Sequence, residues 1–407
     1  MNIFEEILKA RGLTGKKRDA FLNPSYDAKH HPFLLPDMDK AVQRLVGAHQ
    51  KQERITIYGD YDIDGLTATT VLLDAFESFG FKNVDAFIPN RFVEGYGLTV
   101  DAVERIAAAG ADLIITVDCG SLSEKEIIRA NELGVDVIVT DHHNVASHQP
   151  PAVAVINPKR SDHEYPFIDL AGVGVAFKLV QALQTRITGL PEGQEKWLLD
   201  LVALGTVCDV VTLVDENRAN VYWGLKVMAK GRRPGLRALM AVSRVEPDKV
   251  TARSLGFGLG PRMNAAGRLE TAQHALDMLL AVDPIVALEK AEQLDALNLA
   301  RRTEQDRIYK EAIKQAERYL EDEVLVVNSS GWNHGIIGIV AAKLLEKYKK
   351  PTYVLEEMGD ESKGSARSFG DFSAADAIRA ADDIITKGGG HKLAAGVTLP
   401  TANIDAF

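Results

Sequence analysis

The stretch "ITIYGDYDIDGLTATT", residues 55–70, decides how this chain is read. Ile55–Tyr58 has the β-branched and aromatic character of a short strand. Asp60, Asp62 and Asp64 then fall within five positions, directly before a helical pattern. Carboxylates this close raise one another's pKa, so something cationic is expected among them. Solvent, a lysine and a metal are the candidates, and the choice decides the chemistry.

The same pattern recurs outward from that stretch. Strand-like runs stand at "VDAFI" (84–88), "DLIITV" (112–117), "VDVIVT" (135–140) and "AVAVI" (152–156), with helical patterns such as "LTVDAVERIAAAG" (98–110) between them. Strand, helix, strand in this rhythm signals a parallel sheet with helices on both faces. The nearly continuous apolar runs suit doubly covered strands. Each run ends in polar residues: Asp118-Cys119-Gly120, Asp141-His142-His143 and Asn157-Pro158. In an open parallel sheet the C-terminal strand ends share one edge, where ligands bind. Asp209, at the end of "LLDLVALGTVCDVV" (198–211), is a fifth candidate.

Singly, each residue has an ordinary reading. Asp64 suits a helix N-cap, Asp118 a turn, and paired histidines a surface. Together at one edge, Asp and His without a thiolate cluster suit Mn²⁺ or Mg²⁺. So many ligands exceed one ion's need and suit two ions ~3.5–4 Å apart.

The 407 residues are 46% hydrophobic and 26% charged, as in folded proteins. No apolar run approaches the ~20 residues of a membrane span, and "MNIFEEILKARG" lacks a signal-peptide core, so a cytoplasmic protein is expected. Cys119 and Cys208 cannot build a disulfide framework or a four-cysteine zinc site. A net charge of -10 argues against a protein that merely coats nucleic acid, but not against an enzyme with acids gathered in a metal site.

The fold class expected is α/β in several segments. Residues 1–50 form an N-terminal helical segment and 51–212 a parallel-sheet catalytic domain. Residues 213–282 form a helical insert, 283–322 a connector helix, and 323–407 a smaller α/β substrate-binding domain. Ile285–Asp322 contains neither Gly nor Pro and reads as one long helix. Strands follow at "EVLVVN" (323–328), "PTYVLEE" (351–357), "GSARS" (364–368) and "HKLAAGVTL" (391–399). The ending soon after that strand sets the expectation of further C-terminal domains. "KGGGH" (387–391) offers unhindered backbone N–H groups, either as a phosphate cradle or as a tight turn. Phe369 and Phe372 are candidate base-stacking faces, with core packing expected for at least one.

These residues resemble the DHH phosphoesterase family, named for the triplet that stands here as Asp141-His142-His143. "GDYDIDG" (59–65), "VDCG" (117–120), "TDHH" (140–143) and "GTVCDVV" (205–211) look like its four motifs. "GWNHGIIGIVAAKL" (331–344), "GSARS" and "GGGHKLAAG" (388–396) resemble the associated C-terminal DHHA1 domain. "PRMNAAGRL" (261–269) resembles the RecJ branch, bacterial exonucleases that degrade single-stranded DNA from 5′ to 3′.

The resemblance implies two divalent cations, manganese ahead of magnesium. Their ligands would be Asp62, Asp64, Asp118, His142 and Asp209, with Asp118 as bridge. Asp60 would be a ligand or stand behind one. His143 would contact the scissile phosphate. Arg262, Asn264 and Arg268 resemble residues that line the DNA path. Ser365, Arg367, Gly388, Gly389, Gly390 and His391 would bind phosphate. The implied activity is hydrolysis of single-stranded DNA to 5′-mononucleotides in repair and recombination. Two rivals are a phosphoesterase of short oligonucleotides or nucleotides and a non-catalytic scaffold. A cysteine nucleophile, Cys119 or Cys208, is the competing mechanism. The expected protein is a monomer, with a single-strand-binding protein or a helicase as candidate partners.

Overall fold

A computed structural model of the chain describes residues 2–95 and 97–407. Its contacts divide it into two units. The first holds residues 1–267 and 271–295, the second 268–270 and 296–407.

The first unit is built on five parallel strands in the order β2-β1-β3-β4-β5. They are β1 (Ile55–Gly59), β2 (Val84–Phe87), β3 (Leu113–Val117), β4 (Asp136–Thr140) and β5 (Ala154–Ile156). Every residue of β1 and β3 is buried, which explains why their sequences run apolar rather than alternating. Ile57 of β1 pairs with Ala86 of β2 and Ile115 of β3, so the strands advance together and stop at one edge. Three buried helices, Ile63–Phe79, Gly172–Leu183 and Leu199–Cys208, pack against one another. The Gly172 helix is hydrophobic nearly all round, as a wholly enclosed helix must be. Its one buried cation, Lys178, pairs with Glu216 at 2.6 Å and donates to the His30 carbonyl.

The second unit holds a mixed sheet in the order β6-β7-β8-β10-β9. Its strands are β6 (Leu325–Ser330), β7 (Thr352–Met358), β8 (Glu361–Arg367), β9 (Lys387–His391) and β10 (Ala394–Pro400). Only β6 and β7 pair in parallel; β8, β10 and β9 join antiparallel. The His334–Tyr348 helix packs on one face with Val354, and the Ala374–Ala380 helix on the other with Tyr353 and Leu355.

Two expectations need correction. The long helix runs Pro284–Ala316 and stops six residues before Asp322. Gln315 ends it by docking on β6, donating to the Asn328 carbonyl and accepting from the Asn328 N–H. Lys350 then captures the Leu320 and Asp322 carbonyls in the turn that follows. "KGGGH" is the edge strand β9 rather than a turn. Among the described residues, no helix is long and apolar enough to cross a membrane.

Candidate metal centre

The polar strand ends meet as the parallel sheet requires. Three groups of potential metal-binding atoms gather at this edge, each within 4.8 Å: Asp60, Asp62 and Asp118; Asp64, His142 and Asp209; and Asp118, His142 and His143. Asp118 belongs to the first and third. His142 Nε2 links it to the second, lying 3.1 Å from Asp118 Oδ1, 3.7 Å from Asp64 Oδ2 and 3.6 Å from Asp209 Oδ2.

Local structure fixes each group. Asp118 ends β3 with φ of 62°, the left-handed region that Asp enters more readily than most residues. Asp62, rather than Asp64, caps the Ile63 helix: its Oδ1 accepts from the N–H groups of Asp64 and Gly65. Asp64 lies inside the first turn. The N-terminus of the Gly172 helix holds its carboxylate, with Gly172 N–H donating to Oδ2 at 2.6 Å and Val173 N–H to Oδ1 at 2.9 Å. Gly172 must be glycine, because a Cβ there would lie 2.7 Å from Asp118 Oδ1.

Asp141 serves a different purpose. Its carboxylate accepts from the N–H groups of Ser121, His142 and His143 and from the His143 ring at 2.9 Å. Burial pushes Asp141 up, but those bonds outweigh it and hold the acid well below the usual range. In return, against the effect of burial, the Asp141 carboxylate raises His143 to about 9. Asn157 at the end of β5 donates to the His143 carbonyl and to Ser121 Oγ.

Four further acids are only partly compensated. Burial first, then neighbouring carboxylates, push Asp60 and Asp118 well up, and Asp64 and Asp209 to about 7. Asp60 Oδ1, Asp118 Oδ1 and His142 Nε2 are buried with no hydrogen-bond partner among the described residues. Buried polar atoms are ordinarily paired. Oxygen donors with one imidazole nitrogen, orphaned together, fit divalent cations. The ion pairs of Asp64, Asp118 and Asp209 among the described residues are with histidines, not with a lysine.

Both thiols are poor nucleophiles. Burial drives Cys119 well above its ordinary value and Cys208 to about 12.

Arg91 was missed in sequence. It stacks 4.3 Å over the Tyr61 ring, its Nε is buried with no hydrogen-bond partner among the described residues, and its charge acts on Asp60. It follows β2 by four residues, so the strand-end argument would have found it had it been applied to cations.

In the second unit, β-sheet register sorts the expected phosphate-binding residues. Arg367, Ala394 and His391 stand on one rung, and Ser365, Gly396 and Gly389 on another two residues along. Ser365, Arg367, Gly389 and His391 therefore share a face, over small residues of β10. Gly388 and Gly390 face the other way. A Cβ on Gly388 would lie 2.3 Å from Ile378 Cγ2, whereas Gly389 has nothing within 4 Å. Arg367 donates to Ser365 Oγ and the Ala366 carbonyl and has no carboxylate beside it among the described residues. Arg262, in the first unit, is engaged by Asp295 at 2.7 Å and the Gly258 carbonyl. Arg268, in the second, donates to the Gly335 carbonyl. Phe372 packs in the core and Phe369 is exposed.

Known proteins bear the same features. The N-terminal domain of the DHH family matches residues 54–206, and the DHHA1 domain matches 321–407. The chain is 40% identical to the single-stranded-DNA-specific exonuclease RecJ of Bacillus subtilis, over 98% of this chain but only 50% of that protein. It thus spans half the length of that relative. The crystal structure of an exonuclease RecJ bound to manganese superposes with a TM-score of 0.81 at 36% identity, covering 91% of this chain and 92% of that one. RecJ from Thermus thermophilus in complex with Mg²⁺ gives a TM-score of 0.72 at 32% identity, covering 91% of this chain and 51% of that one. On this likeness in sequence, domains and fold, the chain belongs to the RecJ family of DHH proteins.

Proposed function

We propose that the chain is a 5′-to-3′ exonuclease that hydrolyses single-stranded DNA to 5′-mononucleotides with two divalent cations, manganese ahead of magnesium. The observation that carries the reading is Asp118, a buried carboxylate in a left-handed conformation that stands between the two ligand groups. Asp60, Asp62 and Asp118 would hold one ion; Asp64, Asp118, His142 and Asp209 the other. When bound, such a pair lowers the pKa of a water and stabilises both attacking and leaving oxygens.

The chain's own residues supply the rest. His143, kept protonated by Asp141, donates to a phosphate oxygen or to the departing 3′-oxygen. Arg91 adds positive charge on the Asp60 side. Arg367, Ser365, Gly389 and His391 grip backbone phosphates, since a guanidinium without a carboxylate can fork two phosphate oxygens. Arg262, Asn264 and Arg268 contact the strand. On this reading 51–212 is catalytic and 323–407 grips substrate, with 1–50, 213–282 and 283–322 as N-terminal segment, insert and connector. The enzyme acts in the cytoplasm as a monomer in repair and recombination, beside a single-strand-binding protein or a helicase.

The test is Asp118→Ala with labelled single strands in Mn²⁺. The parent should release mononucleotides from a free 5′ end and stall on a strand blocked there. The variant should be slower by about a thousandfold or more. Parent-like digestion by the variant, or no divalent-dependent cleavage by the parent, overturns the reading. A parent that cuts dinucleotides but spares long strands favours the short-substrate alternative.

A further inference from the structure

A cavity of about 480 Å³ opens in the first unit, and of its lining the function proposed above uses only Asn264. Its floor includes Ile63, Val207, Cys208 and Gly260. Ile63 lies between Asp62 and Asp64, and Cys208 precedes Asp209. Successive Cα atoms are ~3.8 Å apart, so the floor shares backbone with two ligand segments of the centre.

The rim is unusual in what it leaves in water. Phe257 is 77% exposed and Val210 is 86% exposed. Phe257 sits in a single π-helical turn, Leu255–Leu259, between Gly256 and Gly258. Such turns are frequent at functional sites, and the flanking glycines leave the ring uncovered. The Arg253 guanidinium stands 5.3 Å from the ring centroid. Asn264 offers an amide with both donor and acceptor atoms. An apolar floor, an open aromatic face and a few polar groups describe a small-ligand site, and the volume falls within the ~300–1,000 Å³ of such sites.

We infer that this cavity seats one nucleobase of the strand held at the metal centre, stacked on Phe257 with Arg253 and Asn264 at its edge. The inference rests on the strand substrate proposed above. The continuity of the floor with Asp62, Asp64 and Asp209 puts the cavity next to the expected position of the scissile phosphate. A base is flat, aromatic and edged with donors and acceptors, which matches this lining. Stacking on a π-face is indifferent to base identity, so the cavity would set the position of a nucleotide without reading sequence.

The experiment compares the parent chain, Phe257→Ala and Phe257→Trp, with binding followed in Ca²⁺ and cleavage in Mn²⁺. The strands are intact or carry one abasic residue at each of the first three 5′ positions. The parent should bind about tenfold more weakly, about 1.4 kcal/mol, when the abasic residue falls at one of them. Phe257→Ala should bind the intact strand about tenfold more weakly, cleave it with unchanged kcat, and no longer sense that abasic residue. Phe257→Trp should restore both affinity and sensitivity. Thermal melting checks that the exposed ring's removal leaves the fold intact. Binding by Phe257→Ala within twofold of the parent overturns the inference, and so does undiminished sensitivity to every abasic position. A parent that binds the strand without cutting it sinks the proposed function and leaves this test standing. A parent that does not bind overturns both.

Discussion

In the first sheet all five strands point the same way; in the second β6, β7 and β10 run one way and β8 and β9 the other. The difference governs how each region assembles a site. A parallel sheet brings every C-terminal end to one edge, so residues at 60, 118, 141 and 157 meet whatever the length of chain between them. A mixed sheet has no such edge. There Ser365 and Arg367 come beside Gly389 and His391 only because β10 lies between β8 and β9 in one particular register. A one-residue slip would turn them to the other face. The first site follows from topology, the second from register.

Among changes that leave its ligands in place, the hardest blow to the topological site should come at Gly172. Gly172→Ala places a methyl group against Asp118 while leaving every ligand in the chain. Mn²⁺ affinity, read by calorimetry, is expected to fall about 10–100-fold, as when partners of metal ligands are removed. Unchanged affinity would show that the Gly172 helix does not set the position of Asp118. In the second sheet, the two neighbouring glycines should behave oppositely. Gly388→Ala meets Ile378 and should destabilise by about 1–3 kcal/mol in denaturant unfolding. Gly389→Ala meets nothing and should stay within about 0.5 kcal/mol. Equal losses would mean that β9 does not alternate as its register requires.

Arg367→Lys tests whether the register-built face grips phosphate. A lysine cannot fork two oxygens, so KM for a single strand should rise about tenfold with kcat unchanged. A fall in kcat alone would separate this residue from substrate binding. The smallest effect expected concerns pH. Asp64 and Asp209 are raised to about 7 from an ordinary value near 4, so the folded chain binds more protons than the unfolded one between those values. Their contribution to stability is full below about pH 4 and is lost as pH rises through 7. Without divalent cations, Tm followed at the first unit should drop across this window, and Mn²⁺ should abolish the drop.

What could be read in sequence divides along the same line. β1, β3 and β4 are apolar because helices cover both faces, so each of their ends was visible, and Asp60, Asp118 and His142 followed. Asp62 and Asp64 were found together, but their tasks were not separable. Which of them caps the helix depends on a turn geometry that two acids, two residues apart, fit equally well. Arg91 escaped because only acids and imidazoles were sought at strand ends. "KGGGH" left a tight turn open because glycine most often marks one, whereas here Gly388 answers to a neighbour, Ile378, that no local pattern reveals. The end of the long helix depended on Gln315 reaching Asn328 and Lys350 reaching back to Leu320, contacts made across the chain. The cavity at Phe257 left no trace in periodicity, since an exposed aromatic in "SLGFGLG" reads like a buried one.

β3 lies at the middle of its sheet, with two strands on either side. Amide hydrogens there exchange with solvent only when the sheet itself opens, whereas those near an edge are released by smaller openings. The carboxylate that stands between both ligand groups is thus anchored where the backbone breathes least. The separation between the groups is then a property of the resting protein, ready before substrate arrives and undisturbed by fraying at β2 or β5.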